Sequence, residues 1–329
     1  MQPVRAVCYG LGPIGLGIAR LAHARRGIEI VGAVDRDPQK IGRDLGDLIG
    51  AASTGVVVHA DLAPCLAAQP TLVLHATGSS LKQVAAQLHE CVAAGLHGIS
   101  TCEELSYPWA VQPQLAAELD AAAHRHGVTL LGTGINPGFA MDVLPLTLTA
   151  PCVEVRAVRV VRVVDAARRR GPLQHKVGAG LSADAFAARV HDGSVRHVGL
   201  LESLQMIATT LGWRLDHGDE VIQPVIAQRR VTTDVVEVVP GQIAGVHQIA
   251  RGYQGDHEVI TLDLKMYVGA EDPQDTIEID GDPPVRMTIP GGLHGDLATA
   301  ALVVNTIPRV IAAPPGLLSM SDLPLVHYW

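Results

Sequence analysis

This sequence predicts an α/β fold: a doubly wound parallel sheet in the N-terminal half, then a second α+β domain built on an open mixed or antiparallel sheet. Three observations carry the prediction. Short β-rich runs alternate with helical patterns as far as Thr133, a glycine cluster opens the first helix, and beyond Gly134-Ile135-Asn136-Pro137-Gly138 the pattern changes to long β-branched segments.

Val4 to Cys8 reads as the first strand. Ile14, Ile18, Leu21 and Ala22 then share one face of a helix that should end at Gly27. Ile28 to Val34 is the second strand, Gly55 to His59 offers a third pairing segment, and Thr71 to Ala76 is the next strand. Leu81, Val84, Ala85, Leu88 and Val92 mark the buried face of the following helix. His97 to Thr101, a helix from Pro113 to His126, and Val128 to Thr133 complete the alternation, the last closing the sheet.

In the second domain, Val153 to Val164, Glu220 to Val239 and Glu258 to Val268 are the strand-like segments. Helices are predicted near Ala183 to His191 and Gly199 to Leu211, the latter with the apolar set Leu201, Leu204, Ile207, Ala208 and Leu211. Asp296 to Ala312 reads as a helix ended by Pro314-Pro315-Gly316; its apolarity on most sides predicts that it packs back on the first domain, between the two. The expected boundaries are 1–138 for the first domain, 139–295 for the second, and 296–329 for the C-terminal helix and tail.

Composition narrows the function. The chain has 329 residues, 48% of them hydrophobic, enough for two cores. Its 33 acidic and 25 basic side chains leave a net charge of -8 with no basic stripe, so nucleic acid is not an expected partner. Apolar runs fall short of the roughly 18 residues of a membrane span, and no signal peptide is read. Five widely spaced cysteines without a C-x-x-C pair fit a reducing cytoplasm. Fifteen histidines without H-E-x-x-H or similar spacing predict no metal.

Gly10-x-Gly12-x-x-Gly15 follows a strand, opens a helix and is trailed by Asp35 at the end of the next strand, the context of a Rossmann dinucleotide site. Gly10 permits the turn, Gly12 lets the backbone approach a pyrophosphate, and Gly15 lets the helix press on the sheet, with Pro13 and Ile14 in the first helical turn. Asp35 favours the ribose hydroxyls of NAD, whereas Arg36 and Lys40 suit the 2'-phosphate of NADP, so the choice stays open; an ordinary solvated turn explains Arg36 and Lys40 equally well. His75-Ala76-Thr77-Gly78-Ser79-Ser80 ends a strand and starts a helix, placing Ala76, Thr77, Gly78, Ser79 and Ser80 beside the cofactor; a plain cap by Ser79 or Ser80 is the competing account. Thr101 ends the adjacent strand. Asn136 and Pro137 form the crossing between domains, where the amide suits the nicotinamide carboxamide and Phe139 borders the substrate, although turn chemistry alone also explains Asn-Pro-Gly.

The motifs Cys102-Glu103-Glu104-Leu105-Ser106-Tyr107-Pro108 and Gly132-Thr133-Gly134-Ile135-Asn136-Pro137-Gly138-Phe139 resemble those of 2,4-diaminopentanoate dehydrogenase and the related native amine dehydrogenases. The resemblance extends to Gly27-Ile28-Glu29-Ile30-Val31-Gly32-Ala33, to Glu202-Ser203 with Gly212-Trp213, and to the tail from Pro315 to Pro324. The wider superfamily resembles dihydrodipicolinate reductase, but that enzyme's basic histidine-pair signature is absent; only Gln174-His175-Lys176 is vaguely similar. The resemblance implies reversible exchange of an amine for a carbonyl with NAD or NADP, ammonia and a small amine or ketone as partners, and a homodimer.

A carboxylate suits that chemistry, since it can take a proton from ammonium or a carbinolamine and then face a cationic iminium. Alternation makes it unfavourable for both neighbours to point inward; Glu104 is preferred and Glu103 is the reserve. A pair that merely charges the start of the next helical turn is the competing reading. Tyr107, Phe139, His175 and His197 are the substrate-side candidates. Two other functions stay in view, a C=N reductase that needs no ammonia and a non-catalytic NAD(P) sensor; no G-x-S-x-G elbow exists for a serine hydrolase.

Overall fold

The computed structural model describes residues 3–169 and 171–329. In chain order, the nucleotide-binding half contains β1 (Val4–Tyr9), α1 (Pro13–Ala24), β2 (Ile28–Val34), α2 (Leu45–Ile49), β3 (Val58–His59), β4 (Leu72–His75), α3 (Leu81–Ala93), β5 (His97–Ser100), α4 (Pro113–His126) and β6 (Thr129–Gly132). There follow α5 (Val143–Leu148), β7 (Glu154–Asp165), α6 (Gly171–Lys176), α7 (Ala183–His191), α8 (Leu200–Thr210), β8 (His217–Ile226), β9 (Val231–Thr232), β10 (Glu237–Val238), β11 (Ile243–Gln254), β12 (His257–Tyr267), β13 (Gln274–Asp282) and β14 (Val285–Pro290). The chain ends with α9 (Gly295–Ala312) and β15 (Gly316–Leu318). Contacts divide it into two units, Met1–Phe139 with His294–Trp329, and Ala140–Leu293.

The first unit is a seven-stranded sheet in the order β15-β6-β5-β4-β1-β2-β3, and all its pairings are parallel. The chain steps from β1 to β2 on one side and resumes at β4 on the other, which makes the carboxyl ends of β1 and β4 the switch point where such sheets bind ligands. β4 is buried throughout, as expected of a strand covered on both faces. All five apolar positions predicted for the helix after it are buried in α3. α1 stops at Ala24, short of the expected Gly27, because Arg25 already takes an extended conformation. β3 is only two residues long. Before it, the Asp44 carboxylate gathers the loop by accepting the N–H groups of Gly46, Thr54 and Gly55 and the hydroxyls of Ser53 and Thr54, so that the chain is folded on itself rather than along the sheet.

The sheet is not closed by the Val128–Thr133 segment. β15 lies beyond β6, paired in parallel from Gly316↔Thr129 to Leu318↔Leu131, and Thr129 Oγ1 donates to the Pro314 carbonyl at 3.0 Å. α9 packs on α1, β5 and β6 of this same unit. Trp329 secures the tail, its indole N–H donating to Val304 O at 3.1 Å.

The second unit carries a six-stranded sheet, β14-β13-β7-β12-β11-β8, antiparallel except for the β7–β12 pair. The expected segment Glu220 to Val239 splits into β8 and a small β9–β10 ladder, while β11, β13 and β14 are strands that the sequence pattern did not reveal. Side chains alternate across the sheet: Val158, Val160, Leu262, Leu264, Val246 and Ala250 are buried, whereas Val161, Val163, Ile249, His247, Asp263 and Lys265 on the other face are half-buried. α8 covers the first face. Leu204, Ile207 and Ala208 are buried as expected, but Leu201 and Leu211 are only half-buried and the polar Glu202 and Ser203 are buried instead. Among the described residues no helix is long and apolar enough to cross a membrane.

Candidate active site

The glycine loop joins β1 to α1, and each glycine has its own constraint. Gly10 has φ +90°, and a Cβ there would lie 2.5 Å from the Ala76 carbonyl oxygen. At Gly15 a Cβ would come within 1.8 Å of Gly10 O, so the helix closes on the loop only because that side chain is missing. Gly12 differs: nothing lies within 4 Å of where its Cβ would be. That open position at the helix N-cap, followed by Pro13 and Ile14 in the first turn, is the cradle a pyrophosphate would fill, and the residues present therefore fit a dinucleotide.

Asp35 follows the last residue of β2 and faces this loop. Its Oδ2 accepts the Leu11 N–H at 2.7 Å and its Oδ1 accepts the Asp37 N–H at 2.8 Å. Lys40 Nζ stands 3.4 Å from Asp35 and 3.3 Å from Asp37. Arg36 is exposed.

The end of β4 begins with a histidine that sequence reasoning passed over. His75 is fully buried, with its ring edge-on to Tyr9 at 5.5 Å between centroids. Its Nδ1 lies 2.8 Å from Ser100 Oγ, and its Nε2 lies 2.9 Å from both Gln87 Oε1 and Thr77 Oγ1. The Ser100 hydroxyl oxygen also accepts the Cys102 N–H at 3.1 Å, so the network runs from α3 through the ends of β4 and β5 to the turn that carries Glu103 and Glu104. The available signal was a lone polar residue closing the apolar run Leu72-Val73-Leu74.

Burial pushes the His75 imidazole from 6.5 down to about 4. The native state thus declines a proton that the unfolded chain accepts, so this contribution to stability is complete above 6.5, falls as pH drops toward 4, and then levels off. A loss on the order of 3 kcal/mol over that range is expected from urea unfolding at fixed pH, and His75→Gln should remove it. A pH dependence identical in the two proteins would show that His75 titrates normally.

Glu103 and Glu104 lie in the single 3-10 turn Glu103–Leu105 after β5, and both are half-buried. Glu104 Oε2 accepts the Leu81 N–H at 2.7 Å and the Ser80 hydroxyl at 3.3 Å. Ser80 occupies the N-cap position of α3 but makes no side-chain cap bond itself, so the cap expected of a serine is supplied by Glu104. Glu104 Oε1 has no hydrogen-bond partner among the described residues. A carboxylate with one oxygen fixed and the other free, at the carboxyl edge of the sheet, is oriented for proton transfer and for stabilising a cation.

The other predicted residues fall as follows. Ala76, Thr77, Gly78, Ser79 and Thr101 lie in the loops that leave β4 and β5, with Ala76 N donating to Tyr9 O at 2.7 Å and Thr101 N to His75 O at 3.0 Å. Asn136 and Pro137 are joined by a cis peptide in the turn after β6, which is linked to α9 by the 3.2 Å bond from Ile135 N to Thr299 Oγ1. Tyr107 stacks edge-on against Trp109 at 5.0 Å, and Phe139 closes the first stretch of the same unit. His175 and His197 belong to the second unit. The first is exposed on α6; the second lies in the loop before α8, where the His197 backbone exchanges two hydrogen bonds of 2.8 Å with the Gln248 amide. Among the described residues no group of three His, Cys, Asp or Glu side chains is placed to hold a metal.

Residues 4–101 match the family model of the dihydrodipicolinate reductase N-terminus, and residues 139–329 match the 2,4-diaminopentanoate dehydrogenase C-terminal domain. The chain is 32% identical to the 2,4-diaminopentanoate dehydrogenase of Acetoanaerobium sticklandii, over 99% of this chain and 94% of that protein. It is 24% identical to an amine dehydrogenase of Streptomyces virginiae, covering 98% of this chain and 96% of the other. The solved amine dehydrogenase of Mycobacterium smegmatis superposes with a TM-score of 0.89 at 29% identity, over 99% and 97% of the two chains.

Proposed function

The chain belongs to the 2,4-diaminopentanoate dehydrogenase family, and from that premise we propose that it interconverts a small primary amine with its ketone or aldehyde and ammonia. It is an NAD(P)-dependent oxidoreductase acting on a CH–NH2 group. The observation that carries the proposal is Glu104, whose fixed Oε2 and free Oε1 sit on the turn after β5.

The dinucleotide, when bound over Gly12, exchanges a hydride with the carbon that bears nitrogen. The chain's own residues do the rest. In the direction of amine formation, Glu104 takes a proton from ammonium as nitrogen attacks the carbonyl, returns a proton as water leaves, and holds its negative charge against the resulting iminium. Ser80 and the α3 N-terminus keep the carboxylate oriented. Thr77, Ser79, Thr101, Asn136 and Pro137 are assigned to the nicotinamide side of the cleft, Glu103 to the reserve catalytic position, and Tyr107 and Phe139 to the substrate.

A homodimer is proposed through the half-buried face of the second unit's sheet, where Val161, Val163 and Ile249 lie among polar side chains that already pair, such as His247 with Asp263 at 2.8 Å. The five free cysteines support work in the reducing cytoplasm; burial pushes Cys8 and Cys91 up to about 12, which keeps these thiols protonated.

The test is oxidation of NADH or NADPH with small ketones, aldehydes and 2-amino-4-oxopentanoate, each with and without ammonium. Turnover that requires ammonium is expected. Equal turnover without it would identify a reductase of preformed C=N or C=O groups, and binding of the dinucleotide with no turnover on any substrate would favour a sensor.

A further inference from the structure

Glu104 can serve the proposed exchange only if its turn is held in one place, and a buried chain of hydrogen bonds does that from within the sheet. Cys102, the N-cap of the turn that carries Glu103 and Glu104, donates its backbone N–H to Ser100 Oγ at 3.1 Å. The loop that leaves β4 is tied to the same turn, since the Ser79 carbonyl accepts the Cys102 thiol at 3.2 Å and the Glu104 N–H at 3.3 Å. His75 stands behind both loops. It is fully buried, 2.8 Å from Ser100 Oγ on one side and 2.9 Å from Thr77 Oγ1 on the other.

The hydrogens along this chain follow from its acceptors. Gln87 Oε1 can only accept, so the Nε2 that faces it at 2.9 Å carries the imidazole proton. Burial keeps the ring neutral, which leaves Nδ1 as the lone pair that accepts the Ser100 hydroxyl. The Ser100 oxygen accepts the Cys102 N–H in turn. At the other end Thr77 gives its hydroxyl proton to Gln87 Oε1 at 2.6 Å and shares the Nε2 hydrogen, so its orientation is set. The two ring nitrogens therefore have different dependants: Nδ1 acts through Ser100 on the turn of Glu104, and Nε2 acts on the loop of Thr77.

We infer that His75 is a positioning residue for the amine–carbonyl exchange, its Nδ1 side setting the turn that presents Glu104 and its Nε2 side setting the Thr77 hydroxyl toward the dinucleotide. This rests on the reading of Glu104 as the acid–base group. The experiment uses substitutions that keep one side at a time. His75→Gln can place an amide N–H near the position of Nε2, while His75→Asn can place an acceptor near that of Nδ1. These two and Ser100→Ala are assayed as purified proteins for turnover of the ketone or aldehyde that wild type aminates fastest, at saturating ammonium and dinucleotide. NADH and NADPH dissociation constants come from fluorescence titration, and folding is followed by thermal unfolding.

His75→Gln should lower turnover by about tenfold or more and leave the dinucleotide dissociation constants within about threefold of wild type, because a displaced acid–base group costs rate rather than binding. His75→Asn should show the reverse emphasis, with dissociation constants raised about three- to tenfold and a smaller loss of turnover. Ser100→Ala, which removes a single oxygen, should match His75→Gln and carries the same expectation if His75→Gln does not fold. The two combined should cost no more than either alone, since both cut one path. Wild-type turnover in His75→Gln and Ser100→Ala, or turnover and binding that fall in step with the melting temperature in all three variants, would overturn the inference and leave the proposed function standing. A wild type without ammonium-dependent turnover overturns both.

Discussion

Glu104→Gln is expected to lower amine-forming turnover by about 10²- to 10⁴-fold while NADH or NADPH still binds, the usual range for loss of a positioned acid–base group. Glutamine keeps the shape of the side chain, and its carbonyl oxygen can still accept the Leu81 N–H that caps α3. What disappears is the negative charge and the capacity to take a proton. Glu104→Ala separates the two roles, because it also uncaps α3 and should lose about 1 kcal/mol of stability that Glu104→Gln retains. Steady-state kinetics with saturating ammonium, set against dinucleotide titration and thermal unfolding, distinguish these effects. Full activity in Glu104→Gln would refute the assignment, and the same substitution at Glu103 would then show whether the neighbouring carboxylate carries the reaction.

Those expectations depend on how much of the site the sequence discloses. The alternating N-terminal half was legible because parallel strands covered on both faces read as unbroken apolar runs, and because Gly10, Gly12 and Gly15 each answer to a local constraint. α4 was found at its actual bounds, Pro113 to His126, where a proline at the start and Gly127 with φ +67° at the end mark both limits. β15 was not legible. Three residues after a Pro-Pro pair carry no periodicity, and their strand character comes only from the β6 edge that receives them. β11 and β13 were missed for a related reason: their glycines and charged residues obscure the alternation, although every second side chain is buried by contacts from elsewhere in the fold.

At the site, residue types were easier to read than partnerships. Glu104 was recognisable from its motif, but its bond to the α3 N-terminus joins residues 24 and 23 positions apart and has no local signature. His75 was hidden in a similar way, since Ser100 and Gln87 lie 25 and 12 positions away, on a neighbouring strand and on a helix.

Gly12→Val and Gly15→Ala should fail in opposite ways, which makes them a joint test of where the dinucleotide lies. Gly12 has φ -65° and ψ -179°, extended backbone that valine adopts freely, and its side chain would enter open space. The protein should fold, with at most about 1 kcal/mol lost at the helix start. The branched side chain would nevertheless occupy the approach of the pyrophosphate, and loss of its charge-assisted bonds to backbone N–H groups should weaken NADH and NADPH by about a hundredfold or more. Wild type in dinucleotide at 100 times its dissociation constant gains about 2.7 kcal/mol of apparent stability, so thermal unfolding with and without ligand reads the effect directly; Gly12→Val should show almost none of that gain. In Gly15→Ala the new methyl would meet Gly10 O at 1.8 Å, backbone that cannot step aside without opening the loop. Overpacking of that kind destabilises the fold itself by about 1–3 kcal/mol or more, with or without ligand. A Gly12→Val protein that binds dinucleotide as wild type does would place the phosphates elsewhere and remove the physical ground for putting hydride transfer beside Glu104.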